Sequence, residues 1–171
     1  MKIWLLCACL ASGCTALVPT TAMRLNGLSP TTADPADIAV DLKFPDGIDV
    51  SPGSARLSFS TMRIDTDETA AGDFALQRDG TVFRVAPADF SALRALQATA
   101  RQWSDESPAK TNGSLSISLS PCRVGTGPAA DASVSVAIQL EQGGAFLPLV
   151  RDGPLSAVTS EAQLRDMPDC T

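Results

Sequence analysis

The sequence predicts an α+β domain with about seven mostly antiparallel strands, one long amphipathic helix over about residues 87–104, and a short C-terminal helix. Three observations support this class: runs in which apolar and polar residues alternate, tight-turn signals between neighbouring runs, and one stretch with helical spacing. Strands joined by tight turns pair antiparallel, and the helix packs its apolar stripe on the sheet. A β-sandwich carrying one helix is the alternative that spacing leaves open.

Strands are predicted wherever apolar and polar side chains alternate, because successive side chains of a strand point to opposite faces. The Asp79-Gly80 pair is a two-residue turn signal, and as the turn it pairs Leu76 with Phe83 and keeps the apolar residues on one face. The predicted strands cover residues 38–44, 55–64, 74–77, 82–85, 114–120, 133–140 and 147–149.

The last predicted strand follows a glycine turn and contains a proline. A turn at Gly143-Gly144 pairs Ile138 with Leu149 and again keeps the apolar residues on one face. Pro148 cannot donate a backbone hydrogen bond, so we expect this strand to lie at a sheet edge.

The long helix is predicted from its start signals and its apolar spacing. Proline suits the first helical position, and Asp89 places a negative charge beside the positive end of the helix dipole. We interpret the apolar stripe as core rather than as a ligand site. Its members are Phe90, Leu93, Leu96, Ala100 and Trp103. Ser160 and Gln163 have capping-box spacing, which predicts the short final helix.

Composition restricts the function classes. The net charge is −6, and the basic residues are scattered, so the chain lacks the electrostatic footprint of a nucleic-acid-binding protein. Histidine is absent from the sequence, which excludes Ser-His-Asp and Cys-His catalysis as well as histidine-ligated metals. We therefore expect no enzyme activity, no cofactor and no nucleic-acid partner.

Two of the five cysteines, Cys122 and Cys170, lie far in sequence from the other three, Cys7, Cys9 and Cys14. In an exported protein, two such cysteines are most simply a disulfide. Closing the loop between them would stabilise the fold by about 4 kcal/mol on the chain-entropy model. Two free buried thiols and a redox pair are the alternatives.

Two polar segments have the residue types of catalytic or metal sites. Ser107 and Lys110 match the Ser-x-x-Lys spacing of penicillin-binding enzymes, but they follow the end of a helix, so we interpret them as a connecting loop. The acidic residues of 65–73 lack the glycine and glutamate that close a calcium loop. We expect that loop to be solvated, and we predict no metal site.

Small hydroxyl side chains line the predicted outer side of the sheet. Exposed sheet faces usually carry charge, which opposes unwanted association, whereas this face carries little. One hypothesis is that it docks a protein partner; the alternatives are that the serines are only solvated or that a second layer covers them. The serines concerned are Ser58, Ser60, Ser114, Ser116, Ser118, Ser120, Ser133 and Ser135.

The chain opens with a positive charge at Lys2 and an apolar run over residues 3–11, which is far shorter than the roughly 20 residues that span a bilayer. The stretch Leu10-Ala11-Ser12-Gly13-Cys14 resembles the lipobox of bacterial lipoproteins, in which a small residue precedes the cysteine that is lipidated. Ala11 stands where that family usually has Leu, Val or Ile. A competing box at Leu6-Cys7-Ala8-Cys9, cleavage without lipidation and an uncleaved segment are the alternatives.

The resemblance implies a signal peptide over 1–13, a tether over 14–36 lipidated at Cys14, and a single globular domain over 37–171. Thr15 after the anchor resembles lipoproteins that are sent to the outer membrane. We therefore expect a lipid-anchored domain that faces the periplasm and acts as a non-catalytic binding or assembly module with an envelope protein as partner. An inhibitor of an envelope hydrolase and a histidine-independent hydrolase are the alternatives.

Overall fold

The computed structural model describes residues 31–171. Within them the chain forms strands, two α-helices and three short 3₁₀ turns. The strands are β1 (Ala39–Lys43), β2 (Ile48–Val50), β3 (Arg56–Arg63), β4 (Thr69–Asp79), β5 (Val82–Val85), β6 (Thr111–Ser118), β7 (Pro121–Arg123), β8 (Ser133–Gln139) and β9 (Leu147–Pro154). The α-helices are α1 (Phe90–Glu106) and α2 (Glu161–Arg165), and the 3₁₀ turns are Pro87–Asp89, Pro108–Lys110 and Leu155–Ala157.

Seven strands form one curled antiparallel sheet in the order β6-β3-β4-β5-β1-β8-β9. The helix α1 packs on the inner, apolar face of this sheet, against β3, β4 and β6. The α+β prediction is confirmed, and the strands of the main sheet belong to one sheet rather than to the two layers of a sandwich. The edge position predicted for the last strand is also confirmed, because β9 lies at one edge and β6 at the other.

The core lies between α1 and the inner face of the sheet. Leu57 on β3 and Leu93 on α1 are both fully buried, and the alternate residues of each strand point the opposite way. Burial of each large apolar side chain contributes roughly 1.5 to 3 kcal/mol before the entropy cost of ordering. The sheet curls around this cluster, so that the inner sides of β3, β4, β5, β1 and β8 share one core.

Helix α1 is held at both ends by polar contacts with the sheet. The Asp89 carboxylate accepts a hydrogen bond from the Ala75 N–H of β4 at 3.2 Å, so it anchors the helix start to the sheet instead of capping the helix. At the other end, the Thr111 hydroxyl donates to the Trp103 carbonyl at 2.9 Å. This contact joins the last turn of α1 to the first residue of β6.

The first predicted hairpin has the expected faces but a different register. Leu76 pairs with Val85, and Phe83 lies opposite Arg78, so the predicted pairing of Leu76 with Phe83 is wrong. The loop residues are Gly80 and Thr81, and Gly80 has a φ of +61° at the first loop position, as in a type II′ turn. The shift of the turn by one residue leaves each side chain on its predicted face.

The second predicted hairpin also differs from its predicted register. Ile138 pairs with Leu147 rather than with Leu149, and the register shifts twice between Val134 and Ala137. Such irregularities bend a strand and insert an unpaired residue, so counting from a turn gives the wrong partner.

Two strands of three residues form a small second sheet that the alternation did not predict. β2 pairs with β7, and Arg123 of β7 forms a parallel bridge with Asp169 in the C-terminal tail. Cys122 and Cys170 form the predicted disulfide between β7 and this tail. The backbone N–H of Cys170 also donates to the Arg123 carbonyl at 2.9 Å, so the tail is held by both kinds of bond.

The last residues of the predicted tether lie against α1. Pro35 is fully buried, and the Gln97 side chain, itself 2% exposed, donates to the Ala33 carbonyl at 2.8 Å. Hydrogen bonds from the Ala36 N–H at 2.9 Å and from Arg94 at 2.8 Å lower the pKa of Asp34. We call residues 31–37 the lead-in segment.

The predicted capping box is confirmed at the start of α2. The Gln163 N–H donates to the Ser160 hydroxyl, and the Gln163 side chain accepts from the Ser160 N–H. As for membrane spans, no helix within residues 31–171 combines the length and the apolar character that crossing a bilayer requires.

Candidate functional site

The inner face of the sheet is open between its two edge strands, and this opening forms a groove of about 510 Å³. Ligand sites in proteins commonly have volumes of roughly 300 to 1,000 Å³ and mainly apolar linings. We call this opening the edge groove. Its lining residues are Val40, Leu42, Phe44, Ile48, Leu115, Ser116, Ile117, Ser118, Leu119, Pro121, Val134, Val136, Ile138, Leu149, Leu155, Val158, Thr159, Gln163 and Leu164.

The edge groove is apolar, and none of the described residues that line it is charged. Val40, Leu42 and Ile138 form a buried floor, whereas most side chains of the two walls are half-buried. The polar side chains of Thr159 and Gln163 are already hydrogen-bonded to each other at 3.1 Å beside the α2 cap. The groove therefore offers an uncharged surface with no side-chain counter-charge for an ionic ligand.

Strand β6 forms one wall of the edge groove. Leu115, Ile117 and Leu119 point into the groove and are half-buried, while Ser114, Ser116 and Ser118 alternate with them and are exposed. β6 pairs with β3 over eight consecutive residues without a register shift. Within residues 31–171, no strand pairs with its other edge.

Two of the residues that direct backbone groups to that other edge, Leu115 and Ile117, also line the groove. The Lys110 carbonyl accepts a hydrogen bond from the N–H of Ile64, the residue after β3, at 2.8 Å. The Asn112 carbonyl accepts one from the Thr61 hydroxyl of β3 at 3.3 Å. In an antiparallel pair, alternate residues direct both backbone groups towards the same neighbour. The even-numbered residues of β6 therefore face β3, and Gly113, Leu115 and Ile117 direct their N–H and C=O groups away from it.

The opposite wall is formed by β9 and the segment after it. Leu155 is buried in a second apolar cluster with Val134, Val150 and Met167, and Leu164 of α2 packs against the same cluster. The disulfide of Cys122 holds the chain just after Met167. A disulfide thus ties the tail behind this wall to the small second sheet.

The predicted serine face does not form one continuous surface. Ser114, Ser116 and Ser118 lie on β6, where Ser114 contacts the Ser60 hydroxyl at 2.9 Å, and all three are exposed, so no second layer formed by residues 31–171 covers them. Ser133 and Ser135 lie on β8, which is separated from β6 in the sheet by β3, β4, β5 and β1.

The serines of β8 also face away from those of β6, and the strands between them carry charge. The apolar residues of β6 and β8 converge on the edge groove, so the alternating serines point in diverging directions. Ser135 donates to the Asp152 carboxylate at 2.9 Å, so its hydroxyl is engaged within the domain. Asp73 and Arg84 are exposed on the strands between.

The Ser107 and Lys110 pair closes a 3₁₀ turn between α1 and β6. The Lys110 N–H donates to the Ser107 carbonyl at 3.0 Å, and the lysine side chain is exposed. Serine nucleophiles of the Ser-x-x-Lys type lie at the start of a helix, so the position of this pair supports the connecting-loop interpretation.

The predicted acidic loop is shorter than expected, because β4 begins at Thr69 and includes Asp73, and Arg63 holds the part that remains a loop. Arg63 donates to Asp65 at 3.3 Å and to Glu106 at 2.8 Å, and its bond to Asp65 lowers the pKa of that carboxyl group. Among the described residues, no three metal-ligating side chains come together.

The lipidation site predicted at Cys14 lies outside the described residues. Comparison of the chain with protein-family models, curated proteins and solved structures gives no match. The geometry of the domain is therefore the basis for any functional inference. The sequence did not predict the edge groove, because alternation alone does not distinguish a strand side chain in the core from one that lines an open groove.

Proposed function

We propose that this chain is a lipid-anchored lipoprotein of the bacterial envelope, and that its domain binds a partner in the edge groove without catalysis. The observation that carries the proposal is the edge groove itself: an opening of about 510 Å³ whose described lining has no charged side chain. Apolar pockets with few polar groups are the usual sites of non-covalent binding in proteins.

The lining chemistry favours binding over catalysis. The groups that hydrolases use for acid–base or nucleophilic work are titratable side chains in a cleft. The hydroxyl-bearing residues of the lining are Ser116, Ser118 and Thr159, the two serines are exposed on the outer side of β6, and the lining contains no base. An uncharged groove stabilises a bound partner by apolar burial, which contributes roughly 25 cal/mol for each Å² removed from water.

The groove is tested with a neutral apolar dye, N-phenyl-1-naphthylamine, added to the full chain carrying Cys14→Ala. We expect a saturable fluorescence increase with the parent protein. Ile117→Lys introduces a charge into the groove wall and should weaken the apparent affinity by about tenfold or more. Ser114→Lys is the matched control, since it lies on the same strand but is exposed and outside the lining. Equal dye binding by both variants would contradict the proposal.

The anchor is tested separately by detergent partitioning and intact mass. The parent chain should enter the detergent phase and carry acyl mass, and Cys14→Ala should lose both properties while the domain remains folded. A Cys14→Ala protein that still carries acyl mass would show that the lipid is attached elsewhere, with Cys9 as the first position to examine.

A further inference from the structure

We propose that the partner is an extended polypeptide segment that adds as a strand to the outer edge of β6 and places alternate apolar side chains in the edge groove. This inference rests on the proposed function and specifies the chemistry of the occupant. It makes β6 the recognition element, with backbone hydrogen bonds on its edge and apolar contacts on its inner side.

On β6, the same residues supply side chains to the edge groove and backbone groups to the outer edge. Leu115 and Ile117 line the groove with their side chains, and the same two residues direct their backbone N–H and C=O groups towards the outer edge. An antiparallel strand hydrogen-bonded to that edge has its directly opposite side chains on the same face of the sheet. Those side chains therefore enter the edge groove.

The uncharged lining of the edge groove suits a peptide segment better than an ionised lipid. A fatty acid or a phospholipid carries an ionised head group, and buried or partly buried charges need a partner. The described lining supplies no charged side chain for that role. The outward backbone groups of the β6 wall belong to Gly113, Leu115 and Ile117, and they are neutral and match another peptide backbone.

Strand β6 also lacks the features that prevent strand addition. Natural edge strands are protected by charged side chains, proline, bulges or short length. Residues 111–118 contain no charge and no proline, and their pairing with β3 is regular over eight residues. The outward side chains of Ser114 and Ser116 are small, so they leave room for varied side chains on the outer face of an added strand.

The edge of β6 and the lining of the edge groove together define a recognition pattern for the occupant. It is extended, has apolar side chains at every second position, and has neither a charge at those positions nor a proline at a paired position. The outward positions are less constrained because they meet serine hydroxyls. We expect this pattern from strand addition, where main-chain bonds give affinity and pockets for alternate side chains give specificity.

The test begins with a random heptapeptide library displayed on phage and selected on the full chain carrying Cys14→Ala. We expect enriched peptides to show apolar residues with a period of two. A synthetic copy of the most enriched peptide is then titrated by calorimetry into three proteins: the parent, Gly113→Pro and Gly113→Ala. Gly113→Pro removes one outer-edge N–H, and Gly113→Ala keeps it.

Position 113 suits this comparison. A Cβ at Gly113 meets the Ser60 carbonyl at 3.6 Å, which is an ordinary contact, and proline is tolerated where the N–H of an edge strand faces solvent. We expect Gly113→Pro to weaken the peptide by about tenfold and Gly113→Ala to bind like the parent. If Gly113→Pro does not fold, peptides with N-methyl groups on alternate residues replace it, and one of the two alternating series should lose binding.

Three results would overturn the inference. Enriched peptides with helical spacing would exclude an added strand. Binding unchanged by Gly113→Pro or by either N-methyl series would show that the groove is occupied without backbone pairing, so strand addition would be wrong while the proposed function stands. No enrichment over an Ile117→Lys protein, together with dye that palmitate displaces, would assign the groove to acyl chains. Failure of the dye to bind at all would instead contradict the proposed function.

Discussion

β6 and β9 are the two edges of one sheet and are equally long, but they differ in charge, proline content and regularity of pairing, which all affect strand addition. β9 contains Pro148 and Pro154, has an irregular register with β8, and carries Arg151 and Asp152. Asp152 also has a φ of +45°, which is rare for a residue other than glycine and bends the strand. β6 is uncharged, contains no proline, and pairs regularly along its whole length.

Within residues 31–171, one edge of the sheet is therefore protected, whereas the other is unpaired beside an apolar groove. The β9 wall is also fixed by the Cys122–Cys170 disulfide and the capped helix α2. The β6 wall has the contacts of β3 and α1. A protein whose two edges needed equal protection from aggregation would block both. This asymmetry supports the proposal that the β6 edge takes part in binding.

The largest predicted effect concerns the wall that is held covalently. Cys122→Ser with Cys170→Ser should lower the free energy of unfolding by about 4 kcal/mol, because the bond closes a long loop in the unfolded chain. Chemical denaturation measures this change. Hydrogen exchange should show more opening in residues 155–170 than in β6. Equal opening of both walls would remove the distinction between them.

The next largest effect is a difference in stability loss between a truncated core side chain and a truncated groove side chain on the β6 side of the sheet. Leu57→Ala should destabilise the domain by about 3 kcal/mol, because Leu57 is fully buried and its loss leaves a closed cavity. Leu115→Ala should cost about 1 kcal/mol, because that side chain is half-exposed in an open groove. Denaturant titration of both variants tests the comparison. Equal losses would mean that the groove is closed in solution.

A smaller effect separates two serines on the two walls. Ser160→Ala removes the cap of α2 and should cost about 1 kcal/mol, with local loosening of the β9 wall. Ser116→Ala on β6 is the matched control, and we expect a change near zero because Ser116 is exposed. Thermal unfolding of the pair provides the measurement. A larger loss at Ser116 would show that its hydroxyl has a structural role.

The smallest predicted effect is a pH dependence of the lead-in segment on α1. The pKa of Asp34 is lowered in the folded protein by its bonds with Ala36 and Arg94, so the folded state favours the ionised form. This contribution is complete above the ordinary pKa of 3.8 and is lost as the pH falls through the lowered folded value. The amide protection of residues 33–37, measured as the exchange rate relative to the unfolded chain at the same pH, should therefore fall only in acid. Asp34→Asn should exchange fast at neutral pH as well.

The element types were predictable from the sequence because their signals are local. The alternation of residues 114–120 predicts β6, the stripe from Phe90 to Trp103 predicts α1, and Ser160 with Gln163 predicts the cap of α2. The two strands of the small second sheet were missed because three residues are too few to show a period. Their pairing depends on the position of the C-terminal tail, which is not a local property.

The candidate site was predictable only in part. Leu115 and Ile117 were correctly placed on the apolar face of a strand, but the curl of the sheet decides whether that face meets α1 or an open groove. The burial of Gln97 has a similar cause, because its partner is a carbonyl of the lead-in segment that is distant in sequence. The predicted register of the second hairpin was wrong because the irregular pairing of β8 with β9 leaves no sequence signal as simple as a turn.

The most direct test of the open β6 edge is residue-resolved hydrogen exchange by NMR, with and without the selected peptide. In the peptide-free protein, the N–H groups of Ser114 and Ser116 should be protected by β3, while those of Gly113, Leu115 and Ile117 should exchange rapidly. A saturating amount of peptide should protect members of the second group and leave the first unchanged. Protection of the second group before peptide is added, or rapid exchange that persists at saturation, would contradict strand addition at β6.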